Sequence, residues 1–134
     1  MTLIKTSSNF ESAHRLSNYD GKCKRLHGHN WKVDLEVELN KLNSLGMVYD
    51  FSCLKNNLLL FDHKVLLKKN KENIKLFKGL PEEWICWFDF EPTAENLAKY
   101  FALIFFKESK AKKVVIRVWE SEKSYAEETI TYSK

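Results

Sequence analysis

Cysteine is scarce and odd in number: Cys23, Cys53 and Cys86 are the only three, and no two of them stand in a C-x-x-C spacing. That excludes a disulfide framework and points to a reducing compartment, so the expected location is the cytoplasm. Glycine and proline are also few, at four and two residues, and 44% hydrophobic against 30% charged residues is the balance of an ordinary globule. Disorder is not expected from it. No apolar run approaches the roughly 20 residues a membrane helix needs. Nothing at the start reads as a signal peptide, since polarity begins at Lys5 and Thr6. A membrane partner is therefore not expected. Charge of one sign barely prevails: 22 Lys and Arg face 18 Asp and Glu, for a net charge of +4. The lysines are scattered, and no groove-reading motif or aromatic–basic interleaving accompanies them. Nucleic acid is not the expected partner, whereas a small anion such as a phosphate ester is compatible with this charge. Internal repeats and low-complexity tracts are absent, and the length suits one core, so residues 1–134 are read as one domain.

What is present is periodicity. Trp31, Val33, Leu35, Val37 and Leu39 alternate with Lys32, Asp34, Glu36 and Glu38, the pattern of a strand with one wet face. Residues 2–15 lack a helical stripe, and as a strand they place Phe10, Ser12 and His14 on one face. Asp50 is a good helix N-cap, after which Phe51, Leu54, Leu58 and Phe61 recur at helical spacing. Thr93 caps a second helix with Leu97, Phe101, Ile104 and Phe105 as its stripe and lysines at its end. Val114–Glu120 and Tyr125–Tyr132 read as strands. The long connection Lys64–Glu91 is polar and basic over Lys68–Lys78, with Ile85–Phe90 a short strand or a packed aromatic segment. The expected class is α+β, in the order ββααββ: a four-stranded antiparallel sheet with two helices on one face.

The four histidines fall into two groups. His27-Gly28-His29 aims two imidazoles at one point, because residues two apart on a strand share a face. With His14 on the preceding strand they make a three-nitrogen set, which suits Zn²⁺ with an open fourth position, although iron, nickel and copper also accept imidazole. Cys23 lies four residues before His27, among Lys22, Lys24 and Arg25. Cations and a metal nearby favour thiolate, a base or nucleophile; without them it is a plain loop cysteine. Cys53 and Cys86 read as inert small apolar residues. Asp62 precedes His63, and a carboxylate beside an imidazole fixes its tautomer and stabilises its protonated form. A helix C-terminal histidine facing the dipole explains the same dipeptide. Glu120 continues the apolar face Val114, Ile116, Val118, so it is either solvated at the sheet edge or paired with a ligand offering two N–H donors. Thr93 and Glu95 are accounted for as cap and first-turn acid.

Taken together, the motifs resemble the 6-pyruvoyl-tetrahydropterin synthase family, most closely its bacterial 6-carboxy-tetrahydropterin synthase branch. They run along nearly the whole chain: Phe10-Glu11-Ser12-Ala13-His14-Arg15-Leu16, Cys23-x-x-x-His27-Gly28-His29, Gly46-Met47-Val48-Tyr49-Asp50-Phe51, Asp62-His63, Pro92-Thr93-Ala94-Glu95-Asn96-Leu97-Ala98, and Trp119-Glu120-Ser121 with Tyr125-Ala126-Glu127. The resemblance implies the tunnel fold, in which the sheets of three subunits close into a barrel, trimers stack into hexamers, and active sites lie at subunit contacts. It implies Zn²⁺ on His14, His27 and His29, Cys23 as catalytic base assisted by Asp62 and His63, and Glu120 anchoring a pterin ring with help from the Thr93 region. The three-residue gap between Cys23 and His27 is that of the carboxy branch, which serves queuosine synthesis. The implied activity is a zinc-dependent carbon–carbon lyase converting 7,8-dihydroneopterin triphosphate to 6-carboxy-tetrahydropterin, acetaldehyde and triphosphate. The pyruvoyl-forming lyase is the alternative within the family, and a non-catalytic metal- or pterin-binding protein the alternative outside catalysis. Lys22, Lys24 and Arg25 are candidates for the triphosphate by proximity. The connection Lys64–Glu91 departs from the pattern, being extended against compact bacterial relatives.

Overall fold

A computed structural model describes residues 1–133. Two long strands, β1 (Thr2–His14) and β2 (His27–Leu39), form the central hairpin. Their antiparallel register runs unbroken from Thr2↔Leu39 to His14↔His27. On the far side of β2 lies β5 (Lys113–Trp119), which in turn pairs with β6 (Tyr125–Thr131). On the far side of β1 lie two short strands that pair in parallel, β3 (Lys64–Lys68) and β4 (Ile85–Phe88). Among the described residues the sheet thus has six strands in the order β4-β3-β1-β2-β5-β6, not the expected four, and it is mixed rather than wholly antiparallel. The α+β class stands. The extra pair comes from the long connection, where Val65, Leu66 and Leu67 form a continuous apolar run. Such a run suits a buried parallel strand but lacks the alternation that marks a half-wet one.

The core follows the strand periods and most of the helical ones; Phe51, expected at the head of the first helical stripe, is instead exposed, because it precedes the helix and points away from the sheet's packed face. Phe10, Trp31, Val33, Leu35 and Val37 are buried with Val114, Ile116 and Val118 opposite them across β2 and β5. Against this face packs α3 (Ala94–Ser109) through Leu97, Phe101 and Phe105, and α1 (Ser52–Leu58) through Leu54 and Leu58. Phe61, just beyond α1, meets Phe101 edge-on at 5.3 Å and Phe10 at 6.2 Å between ring centroids. Each such fully buried side chain contributes about 1.5–3 kcal/mol. Asp50 caps α1 as expected, its Oδ1 accepting the Ser52 N–H at 2.8 Å. Thr93 caps α3 likewise, with Oγ1 accepting the Asn96 N–H at 3.1 Å.

A third helix, α2 (Lys71–Leu76), was not marked by the apolar pattern. It is short and buries an asparagine rather than a hydrophobic stripe: Asn73 accepts from Arg15 Nη1 at 2.6 Å and donates to the Lys68 carbonyl at 2.8 Å. Arg15 also reaches Glu72 at 2.9 Å. Nearby, Ser17 donates to Glu91 and accepts from Asn70. This polar network fastens the chain leaving β1 to the segment that precedes α3.

Candidate metal centre and its surroundings

The hairpin register builds the histidine group. His14 stands directly opposite His27, and Ser12 opposite His29. Directly opposed residues share a face, and so do residues two apart. His14, His27 and His29 therefore point to one spot, where their available ligand atoms all lie within 4.8 Å of one another. Ring centroids are 4.5 to 5.0 Å apart. Trp31 closes the inner wall, edge-on to His14 and His29.

Two backbone carbonyls fix the tautomers. Nδ1–H of His14 donates to the Pro92 carbonyl at 2.8 Å, and Nδ1–H of His27 donates to the Arg25 carbonyl at 2.7 Å. A carbonyl only accepts, so both rings carry their proton on Nδ1 and present the Nε2 lone pair. Those two Nε2 atoms face each other at 3.0 Å. Two lone pairs at that distance repel unless a cation lies between them. Burial pushes His14 from the usual 6.5 down to about 4 against the Pro92 hydrogen bond, with His27 and His29 adding to the fall, so His14 does not itself supply that cation near neutral pH. His29 is also lowered by burial, although the Glu120 carboxylate opposes the shift. The Nε2 of His29 is buried with no hydrogen-bond partner among the described residues. Three converging imidazoles, two of them presenting Nε2 and the third with Nε2 unpartnered, fit a divalent metal of the zinc class.

Cys23 lies in a short turn (Lys22–Lys24) of the loop between the hairpin strands, half-buried as a free thiol. Its carbonyl accepts the Leu16 N–H at 3.0 Å, which folds the loop back toward the end of β1 and His14. Lys24 and Arg25 flank it and are exposed.

Asp62 and His63 stand apart from the triad in one chain. Asp62 Oδ1 accepts the Glu11 N–H at 2.8 Å, and its Oδ2 holds His63 Nδ1 at 3.0 Å. His63 Nε2 is 3.7 Å from the Glu11 carboxylate. Glu11 projects from β1 on the face opposite to His14, since neighbours along a strand alternate. The helix-dipole reading of His63 loses to the carboxylate reading: the Asp62 contact raises the imidazole, and the Glu11 N–H lowers the Asp62 carboxyl. His63 adopts φ 59. That left-handed backbone is uncommon outside glycine and is held here by the His63 N–H to the Glu11 carbonyl at 2.6 Å.

Glu120 is the first residue beyond β5 and is half-buried. It lines a cavity of about 570 Å³ with Ala94, Glu95, Lys99 and Tyr125, where the start of α3 approaches β6. It is therefore neither in the core nor free at the sheet edge. Thr93 spends its hydroxyl on capping α3, while its neighbour Pro92 grips His14. The carbonyls of Pro92 and Arg25 are functional groups that no side-chain pattern could have revealed.

Comparison with known proteins gives a concordant picture. The family model described as 6-pyruvoyl tetrahydropterin synthase matches residues 3–130. A Haemophilus influenzae protein named 6-carboxy-5,6,7,8-tetrahydropterin synthase is 30% identical over 147 residues, covering 95% of this chain and 98% of its own. A Pyrococcus horikoshii relative, provisionally given the same name, is 34% identical over 96% of this chain and 90% of its own. Among solved structures, the 6-pyruvoyl tetrahydropterin synthase of Plasmodium falciparum superposes with a TM-score of 0.69, covering 98% of each chain at 22% identity. That likeness speaks for the tunnel fold alone.

Proposed function

This chain belongs to the 6-pyruvoyl tetrahydropterin synthase family, and from that premise we propose that it is a zinc-dependent lyase acting on 7,8-dihydroneopterin triphosphate. The reading takes 6-carboxy-tetrahydropterin, acetaldehyde and triphosphate as products, a step toward 7-deazapurines such as queuosine, in the cytoplasm. The observation that carries it is the convergence of three imidazoles on one point, two of them with their tautomers fixed by backbone carbonyls and the third, His29, with its Nε2 buried and unpartnered among the described residues.

His14, His27 and His29 would hold the metal. A bound Zn²⁺ supplies Lewis acidity toward hydroxyls of the substrate side chain and so eases proton loss from the adjoining carbon. Cys23 is the group to take that proton, from a loop tied back toward His14. His63, whose hold on a proton Asp62 strengthens, is the complementary proton donor. Because Asp62 and His63 lie on the other face of β1 in one chain, the reading requires a second copy to bring its own pair to this triad. Edge strands β4 and β6 are where a trimeric barrel would close. Glu120, beside the start of α3, accepts from the amino group and ring N–H of a pterin and so fixes its orientation.

Mass analysis of the products formed from dihydroneopterin triphosphate tests this reading. The carboxy product with acetaldehyde supports it. The pyruvoyl product would assign the sister reaction, which the family's own description also names. Pterin binding without turnover would leave a binding protein.

A further inference from the structure

We infer that Trp84 is a ligand-contacting residue: its indole walls the cleft beside His63 and stacks on the flat ring of the heterocycle bound there. This deepens the pterin reading above and rests on it: the second copy that brings its Asp62–His63 pair to the triad brings this cleft with it, against the pterin whose edge Glu120 of the first copy holds. The cleft has a volume of about 480 Å³ and is lined by Glu11, Ala13, Gly28, His63, Lys64 and Trp84 among others.

Its floor is bare. Ala13 and Gly28 are register partners across the hairpin. A Cβ built on Gly28 would meet nothing closer than the Ser12 carbonyl oxygen at 3.7 Å, which is ordinary contact. Packing within the chain does not demand glycine there, and a side chain on that face would project into the cleft. Two small residues side by side leave a flat surface on which a planar ring can lie.

The wall is an aromatic that the core does not use. Trp31 is fully buried, whereas Trp84 is 52% exposed. Exposure of so large an apolar ring is a cost in water unless something covers it. Its backbone is nonetheless held in place. Trp84 ends the turn Glu82–Trp84, its N–H donates to the Pro81 carbonyl at 3.0 Å, and it immediately precedes β4. Lys64, the residue after His63, donates through Nζ to the Glu83 carbonyl. The same short stretch therefore carries the imidazole and holds the indole beside it. The turn belongs to the long connection Lys64–Glu91, between the Asp62-His63 and Pro92-Thr93 motifs and outside both. A π-face opposite a bare floor selects for flat heterocycles, and one such stack is worth about ten-fold in affinity or more.

Neopterin binding to the assembled wild-type protein, W84A and W84F, with metal content and oligomer size measured on each, tests the assignment. The expected result is affinity about ten-fold weaker in W84A and largely kept in W84F, with metal and oligomer unchanged, and a raised KM with little change in kcat. Wild-type affinity in W84A overturns the inference alone. So does a loss accompanied by a smaller oligomer, which would make Trp84 a subunit contact. A wild-type protein that holds metal but ignores neopterin overturns the pterin reading itself, and this inference with it.

Discussion

His14 and His63 are one kind of side chain in opposite surroundings. His14 is 1% exposed on the inner face of the hairpin, and burial drives it down to about 4. The side chain of His63 is 75% exposed at the start of β3, and Asp62 drives it up. Burial disfavours the charged ring, and a hydrogen-bonded carboxylate favours it. The first site disfavours the charged ring and offers lone pairs; the second favours the charged ring. One hairpin strand separates them, with His14 on one face of β1 and Glu11, the neighbour of His63, on the other.

The sharpest way to break this contrast is His29→Ala. Removing one of three converging lone pairs should abolish stoichiometric metal binding and turnover together, as read by elemental analysis of pure protein. Unchanged metal content would end the triad assignment. The metal-free wild type should also lose stability as pH falls from 6.5 toward 4. There the unfolded chain takes up a proton that folded His14 refuses, so stability rises with pH across that window and levels off above it. Acid unfolding followed with and without chelator checks this, and a chelated protein indifferent to pH in that window would contradict it.

Cys23→Ala should come next in size. Zinc and fold are kept, while turnover drops by the ~10²–10⁴-fold typical of a positioned acid–base group. Normal turnover in this variant, with loss in Cys53→Ala or Cys86→Ala, would show that the wrong thiol had been chosen.

Asp62→Asn sharpens the contrast from the other side. It removes the carboxylate that raises His63, so the imidazole should titrate lower. The basic limb of the pH–rate profile should move to lower pH, with rates above neutrality falling about ten-fold, less than for the acid–base group itself. Metal content should not change, because the triad lies across the strand. A profile identical to wild type would detach His63 from the chemistry.

The inner site was legible in the sequence and the outer one only half so, for a physical reason. Strand period two is strict, so His14, His27 and His29 could be put on one face before any coordinates. The same arithmetic found the core of β2 and β5 and the stripes of α1 and α3. It gave no orientation for Asp62 and His63, which lie between periodic segments, where a positive φ at His63 sets the direction. Nor could it find β3, whose apolar run does not alternate, or α2, whose buried face is Asn73 held by Arg15. Asn70, which accepts the Asn73 N–H at 2.8 Å, was the one cap signal available for α2. The expected wet face of β2 is also not uniformly wet. Asp34 is buried there, and although burial works to raise it, Ser7, Trp119 and Lys32 hold it low.

Thr93 carries the smallest expected effect and tests how firmly the inner site is anchored. Its hydroxyl accepts the Asn96 N–H, and the preceding residue, Pro92, takes the proton of His14 Nδ1. Losing a cap costs about 1 kcal/mol, which in a domain of this size is about 3–5 °C in Tm. Thr93→Ala should therefore melt slightly lower, Thr93→Ser should match wild type, and both should keep their metal, because the Pro92 carbonyl that fixes the His14 tautomer belongs to the backbone. A contact between Thr93 and the pterin predicts a different outcome: neopterin affinity would fall in Thr93→Ala together with melting, because the hydroxyl can donate to ligand while accepting from Asn96. Melting curves and binding isotherms on the two variants separate the two cases: a cap alone moves melting only, and a cap that also touches ligand moves both.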